Sequence, residues 1–197
     1  MARIDTPFLD GFYITFFNRL IFDTPRLQDF IARTKMSKAP RQADIWFFDG
    51  EVKVSLLQKD GTGMDGHHTL SSEVLCIPLD WQLSSLVQVC NSAGSPLSTL
   101  ERLEIKNNRG KWQNDIENAQ WLDVLRPFTS VKDLVLYWEP IQIVAPALEE
   151  LAGERVTELT EVLPALENIF LQGPEPSELV KKTIGKYITT RQLSGFL

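Results

Sequence analysis

A short hydrophobic frame that recurs along the chain constrains its fold more than any other feature of the sequence. The frame is L-x-x-L-x-L, in which the last positions alternate as on one face of a β-strand. It occurs at Leu100, Leu103 and Ile105, at Val131, Leu134 and Leu136, and at Leu166, Ile169 and Leu171, with spacings of 31 and 35 residues. A period of this length is typical of proteins built from stacked structural repeats.

Looser copies of the frame lie upstream, and further strands follow them. The copies are at Leu9, Phe12 and Ile14 and at Leu27, Phe30 and Ala32, each opened by a Thr-Pro dipeptide. Two more apolar strands are predicted at Ile45 to Phe48 and Val52 to Leu57. Segments of helical periodicity separate the later strands: Leu83, Leu86, Val87 and Cys90; Trp121, Leu122 and Leu125; and Ile143, Val144, Ala147, Leu148 and Leu151.

Alternating strands and helices with one-sided apolar faces bury those faces by stacking on their neighbours. The sequence therefore predicts one α/β domain over residues 1–197, an irregular leucine-rich-repeat solenoid with a mostly parallel sheet on the concave face and helices outside. The three strict frames are expected to form adjacent parallel strands. An ordinary parallel α/β sheet explains the local periodicity equally well, but recurrence of the frame favours the solenoid.

The last segment, Ser177 to Leu193, follows Pro174 and Pro176 and has apolar residues at helical spacing. They are Leu179, Val180, Thr183, Ile184, Tyr187 and Ile188. We interpret the segment as a helix that caps the repeat stack. Its lysines leave open the alternative of a helix that binds a membrane surface or an anionic partner.

The glycine-rich stretch from Asp60 to His68 is the main candidate for a ligand site. It contains a literal G-x-G-x-x-G from Gly61 to Gly66, but a strand rather than a helix start follows, so no backbone N–H groups are expected to meet a phosphate. His67 and His68 have no further Cys or His at ligand spacing, and Cys90 has the spacing of a core residue. We predict no cofactor, no metal and no catalytic residues. A small enzyme or ligand-binding protein that uses the Gly61–His68 loop is the alternative.

Charge and cysteine content limit the partners and the compartment. The net charge is -6, from 20 Lys and Arg against 26 Asp and Glu, so the chain's field repels nucleic acid. There are only two cysteines, Asp5 and Asp10 interrupt the start of the chain, and no apolar run is long enough to span a membrane. We expect a cytoplasmic or nuclear protein with no membrane or nucleic-acid partner.

Residues that alternate with the inward frame positions are expected to face outward, and several of them are bulky. Inward Leu103 and Ile105 imply an outward Glu104. The same parity elsewhere predicts a protein-binding concave face made of Tyr13, Ile31, Trp46, Glu104, Val135, Tyr137 and Phe170. The alternative is that loops or the terminal helix cover some of these side chains.

Three stretches of the sequence resemble fungal F-box and leucine-rich-repeat proteins. They are TPFLDGFYITFFNRLIFDTPRLQDFIART, DWQLSSLVQVCNS with PLSTLERLEI, and PALEELAGERVTELTEVLPALENIFLQG with IGKYITTRQLSG. The resemblance implies a non-catalytic repeat module that selects targets for a ubiquitin ligase. No F-box precedes the first repeat, so the ligase-docking function is not implied. The doubled T-E unit from Val156 to Val162 lengthens one repeat.

The first repeat begins with too few residues before it to form a helical cap. Its strand edge, with Phe8, Phe12, Tyr13 and Ile14, is therefore expected to be open and to pair with a second copy of the chain. The opposite end is expected to be closed by the terminal helix.

Overall fold

Seven strands make up one sheet in the computed structural model of this chain, which describes residues 13–17, 39–58, 67–75, 79–93, 97–108, 118–152 and 162–194. They are β1 (Tyr13–Phe17), β2 (Gln42–Phe48), β3 (Glu51–Gln58), β4 (His67–Leu75), β5 (Arg102–Asn107), β6 (Asp133–Tyr137) and β7 (Asn168–Gln172). Their order across the sheet is β1-β4-β3-β2-β5-β6-β7. β3 is antiparallel to β2 and β4, and the other neighbouring pairs are parallel.

Four α-helices are described: α1 (Leu79–Ala93), α2 (Asn118–Leu125), α3 (Trp138–Leu151) and α4 (Glu178–Leu193). Each contains the apolar periodicity from which a helix was expected. A 3₁₀ turn at Leu97–Thr99 precedes β5. The chain is therefore an α/β protein with a mostly parallel sheet and helices, as predicted.

The three strict frames form β5, β6 and β7, which lie side by side and parallel, as predicted. Leu103 is in register with Leu134, which is in register with Ile169. The residue that opens each frame closes a tight turn before its strand. The N–H groups of Leu100, Val131 and Leu166 each donate to the carbonyl three residues earlier, at 3.3, 3.4 and 3.0 Å. The recurring sequence frame thus corresponds to a recurring backbone conformation.

The core lies between one face of the sheet and the helices. Strand residues such as Ile45, Ile105 and Leu136 alternate onto this face and are fully buried together with α1, α2 and α3 side chains. The rings of Phe47 and Trp121 pack at 5.7 Å between centroids. Cys90 belongs to this core, as predicted, and its burial raises the pKa of the thiol to about 12. At neutral pH this thiol is un-ionised and therefore a poor nucleophile.

The terminal helix α4 begins where the sequence predicted. Ser177 is its N-cap, and the Ser177 hydroxyl accepts from the Val180 N–H at 3.4 Å. The helix packs mainly against α3. Thr183, Ile184 and Tyr187 are buried, whereas Leu179, expected on the apolar face, is 74% exposed. Leu179 lies in the first turn, only one turn before Thr183, so the contact with α3 begins after it.

Arg191 joins α4 to the turn before β7. Its side chain is buried, and its guanidinium donates to the carbonyl oxygens of Leu163, Pro164 and Leu166 at 3.2, 2.9 and 3.3 Å. Leu163 has a φ of 50°, a left-handed conformation that is uncommon for a residue other than glycine. The interaction therefore stabilises an unfavourable turn from the adjacent helix.

The first half of the sheet differs from the sequence expectation. β2 and β3 form an antiparallel hairpin, because Asp49-Gly50 makes a two-residue turn in which Gly50 has a φ of 84°. β4 begins at His67, at the end of the stretch that was predicted to be a loop. β1 spans Tyr13–Phe17 and overlaps only the end of the frame that began at Leu9. The predicted frame at Leu27 to Ala32, and residues 60–66 of the loop, lie outside the described residues.

Candidate functional site

The sheet face opposite the core, here called the open face, carries most of the residues that were predicted to bind a partner. The described helices place their buried side chains in the core, on the other side of the sheet. The side chains that define the open face are Asp44, Trp46, Phe48, Arg102, Glu104, Lys106, Asp133, Val135, Tyr137 and Phe170.

Strand register aligns the predicted residues in two adjacent rows. In the first row, Glu104 is paired with Val135, which is paired with Phe170. Backbone register through β2, β3 and β4 places Tyr13 in the same row. In the second row, Trp46 is paired with Lys106. Tyr137 belongs to this row because it follows Val135 by two residues in β6, as Lys106 follows Glu104 in β5. The remaining predicted residue, Ile31, lies outside the described part of the chain.

A chain of five alternating charges runs across this face from β2 to β6. The Lys106 ammonium lies 2.8 Å from an Asp44 oxygen and 2.7 Å from a Glu104 oxygen. The other Glu104 oxygen accepts from Arg102 Nε at 2.8 Å. Arg102 also lies 3.8 Å from Asp133. Each cation therefore bridges two carboxylates, which fixes the three strands in register.

Amides close both ends of the chain of charges. Gln42 Nε2 donates to Asp44 at 2.7 Å, and Asn168 Nδ2 donates to Asp133 at 2.9 Å. Gln42 on β2 and Asn168 on β7 are aligned with each other through the register of Arg102 and Asp133. The polar groups of the open face are thus satisfied by each other across four strands, as partly buried polar networks require.

These ion pairs set the charge states of Glu104 and Lys106. Burial of Glu104 acts to raise the pKa of its carboxyl, but the hydrogen bonds from Lys106 and Arg102 outweigh it and the pKa is lowered. Burial of Lys106 acts to lower the pKa of its ammonium, but hydrogen bonds to Asp44 and Glu104 outweigh it and the pKa is raised. Both groups remain ionised at neutral pH.

Aromatic rings surround the cations. The Lys106 ammonium lies 4.7 Å from the Trp46 ring centroid and 5.3 Å from that of Tyr137. The Arg102 guanidinium lies 5.7 Å from the Phe170 centroid. Trp46 and Phe48 stack at 5.9 Å with 9° between their planes. Because cations attract the faces of aromatic rings, the salt-bridge chain also orients these rings.

Two of the predicted surface residues are buried, which corrects the sequence-based expectation. Val135 is 1% exposed and Glu104 is 8% exposed. The guanidinium of Arg102, on β5, lies near the ring of Phe170, on β7, so these two side chains meet over β6, the strand that holds Val135. Glu104 is enclosed by the cations that bind it. The accessible aromatic side chains of the open face are Phe170, 42% exposed, and the half-buried rings of Trp46, Phe48 and Tyr137.

The ion-pair partners of Glu104 were not predicted from the sequence. Arg102 and Lys106 alternate with apolar residues in β5, so their shared face was visible in the sequence. Asp44 lies 62 residues before Lys106, and its pairing depends on the parallel register of β2 with β5. Nothing in the local sequence around Asp44 indicates that register.

The described residues contain no group of three or more His, Cys, Asp or Glu side chains that could bind a metal ion. Nor do they include a helix long and apolar enough to cross a membrane. Comparisons with protein-family descriptions, curated proteins and solved structures found no match for this chain.

Proposed function

We propose that this chain is a non-catalytic protein-binding module that recognises its partner through the open face. The observation that carries the proposal is the set of aromatic rings held in place by a salt-bridge chain whose charges are already paired. Rigid aromatic side chains provide large contact areas at a low cost in conformational entropy. Such a surface is suited to binding.

The paired charges also indicate what kind of contact the partner makes. A partner that recruited Lys106 or Glu104 would first have to break a short, partly buried ion pair, which costs more than a new exposed pair returns. The partner's favourable contacts are therefore with the exposed edges of Trp46, Tyr137 and Phe170. We expect it to present an apolar or aromatic side chain to them.

The finer fold and family assignments belong to the same proposal. We propose that β5, β6, β7 and their helices are leucine-rich repeats of an irregular solenoid, with the open face as its concave side. The shared frame and the shared turn before each strand support this assignment. The resemblance to F-box proteins adds that the module selects targets for a ubiquitin ligase in the cytoplasm or nucleus. Pairing through the N-terminal edge is proposed for β1, which lies at one end of the sheet.

The test compares proteins captured from a native lysate by the wild type with those captured by Trp46→Ala and Tyr137→Ala. Any protein lost from both variants is then purified and titrated against each of them. We expect each substitution to weaken its binding at least about tenfold, as for an interface hot spot. Leu179→Ala, on the exposed surface of α4, is the matched control and is expected to bind as the wild type does. If the face variants bind as tightly as the wild type, the open face is not the binding surface.

A further inference from the structure

Within the described part of the chain, the outer edge of the last strand, β7, shows none of the usual protection against pairing. Among the strands that the structure describes, none pairs with the outer edge of β7. Along β7, residues 168, 170 and 172 are exposed and residues 169 and 171 are half-buried. Exposed edges are commonly protected by Lys, Pro, a bulge or a covering helix. β7 contains no charged residue and no proline. The terminal helix α4, which the sequence predicted to close this end, packs mainly against α3.

The hydrogen bonds of β7 show which of its backbone groups point outward. The Asn168 N–H donates to the Lys132 carbonyl at 2.8 Å, so the backbone N–H and C=O groups of residue 168 point toward β6. Because the direction of these groups alternates along a strand, the backbone groups of Phe170 and Gln172 also point toward β6. The N–H and C=O groups of Ile169 and Leu171 therefore point to the outer edge, where they can bond another strand.

The sequence of β7 is complementary to itself in the antiparallel direction. Asn168-Ile169-Phe170-Leu171-Gln172 runs amide, aliphatic, aromatic, aliphatic, amide, and has the same character in either direction. We propose that two copies of this chain pair through β7, antiparallel, about a two-fold axis at Phe170. A two-fold interface requires such self-complementarity, because each contact occurs twice with the roles exchanged.

This register agrees with the directions of the backbone groups. Ile169 lies opposite Leu171 of the second copy as a hydrogen-bonded pair, and Leu171 lies opposite Ile169 of the second copy in the same way. Each pair exchanges two N–H···O bonds, so the interface has four. Phe170 then faces its own copy as a non-hydrogen-bonded pair, in which side chains approach most closely. On the core side, Ile169 and Leu171 of the two copies form one continuous apolar layer.

The charges around the edge permit the same register. Glu167, just before β7, falls opposite Gly173 of the second copy, so no like charges meet. A five-residue strand pair is smaller than the roughly 800 Å² per partner of a standard stable interface. The dimer is therefore weak and depends on protein concentration. It is distinct from pairing through β1, at the opposite end of the sheet.

Sedimentation equilibrium over a wide concentration range tests the pairing. The wild type and Phe170→Tyr are expected to show a monomer–dimer equilibrium. Phe170→Lys is expected to weaken association at least about tenfold, because like charges would lie directly opposite each other. As a control, circular dichroism spectra of each variant should match the spectrum of the folded wild type. A monomeric wild type at the highest concentration, or a dimer that persists in Phe170→Lys and is lost in Tyr13→Lys, would overturn the proposal.

Single cysteines test the register independently of affinity. In a Cys76→Ser background, Phe170→Cys is expected to form a disulfide-linked dimer on mild oxidation, because opposed residues of this kind lie within disulfide distance. Gln172→Cys alone is expected to form no disulfide cross-link, since its counterpart in the second copy is Asn168. Mixing Gln172→Cys with Asn168→Cys is expected to restore cross-linking. Efficient cross-linking of Gln172→Cys by itself would show a different register and contradict the proposed axis.

Discussion

Leu134 is buried at the centre of the repeated strands, between Leu103 and Ile169. Replacing it with alanine removes apolar contacts and leaves a cavity in the core. We expect Leu134→Ala to lower the free energy of unfolding by about 2 to 5 kcal/mol, measured by urea denaturation. Leu179→Ala makes the same chemical change at a position that is 74% exposed and should cost less than about 0.5 kcal/mol. Equal losses at both positions would mean that Leu134 does not have the predicted core role.

Lys106 is the residue on which the open face depends most. Its ammonium separates the carboxylates of Asp44 and Glu104, whose side chains are each 10% exposed. Lys106→Met keeps much of the side-chain volume but leaves two partly buried anions without this cation. We expect a loss of about 3 kcal/mol at pH 7, the lower end for breaking a buried ion pair. Lys186→Met, which removes the exposed pair with Glu149, should cost much less.

The same variant should change how stability depends on pH. In the wild type, the lowered pKa of Glu104 means that its contribution is present above its usual value of 4.5 and is lost as pH falls through the folded pKa. The raised pKa of Lys106 means that its contribution is lost only above its usual value of 10.5. In Lys106→Met, the desolvated Glu104 carboxyl loses one of its two cationic partners and binds a proton more readily in the folded state. The gap between variant and wild type should therefore narrow from pH 7 to pH 4 in urea denaturation, and a gap that widens would contradict this account.

At the scale of elements, α4 and the turn before β7 depend on Arg191. Arg191→Met removes the donor from the buried carbonyls of Leu163 and Leu166 while retaining the apolar stem of the side chain. Each buried acceptor that loses its partner costs about 1 to 3 kcal/mol, so we expect a total loss of about 3 kcal/mol. Hydrogen exchange should become faster in α4 and in β7. Lys182→Met, at an exposed position of the same helix, is the control and should leave exchange unchanged.

β1 tests the expectation that the N-terminal edge pairs with a second copy. It lies at the end of the sheet, and β4 is the only described strand beside it. Tyr13→Lys introduces a charge of the kind that protects natural strand edges. If the N-terminal edge mediates association, light scattering should show less dimer for Tyr13→Lys than for the wild type. Tyr13→Phe, which adds no charge, is the control. Equal association of all three proteins would exclude this edge.

At the scale of the whole molecule, the main alternative to a binding module is a ligand site in the Gly61–His68 loop. Residues 61–66 lie outside the described part of the chain, and β4 begins at His67. We expect NAD, FAD, ATP and zinc to leave the melting temperature unchanged, because we expect none of them to bind. A ligand that did bind would stabilise the folded state and raise the melting temperature. A reproducible stabilisation that Gly63→Leu abolishes would favour the alternative function.

Much of the second half of the molecule followed from local patterns. The frames at Leu103, Leu134 and Ile169 became neighbouring parallel strands, and alternation placed Trp46, Tyr137 and Phe170 on one face. Exposure did not follow from alternation, because it depends on which longer side chains lie across a residue. Val135 shows this, since its strand position is as predicted but it is buried, with Arg102 and Phe170 from the two flanking strands meeting beside it.

The sequence by itself determined β2, β3, β5, β6 and β7, the four helices and the face to which most of their side chains belong, because these follow from periodicities of two and 3.6 residues within one segment. Only the tertiary structure decided that Asp44 meets Lys106, that Arg191 reaches Leu163, and that β7 ends the sheet. Those contacts join residues that are distant in the chain, and they form only when the order and register of the strands are established. The hairpin at Asp49-Gly50 lies between the two cases, because its turn is local but its effect is to reverse the direction of β3 within the sheet.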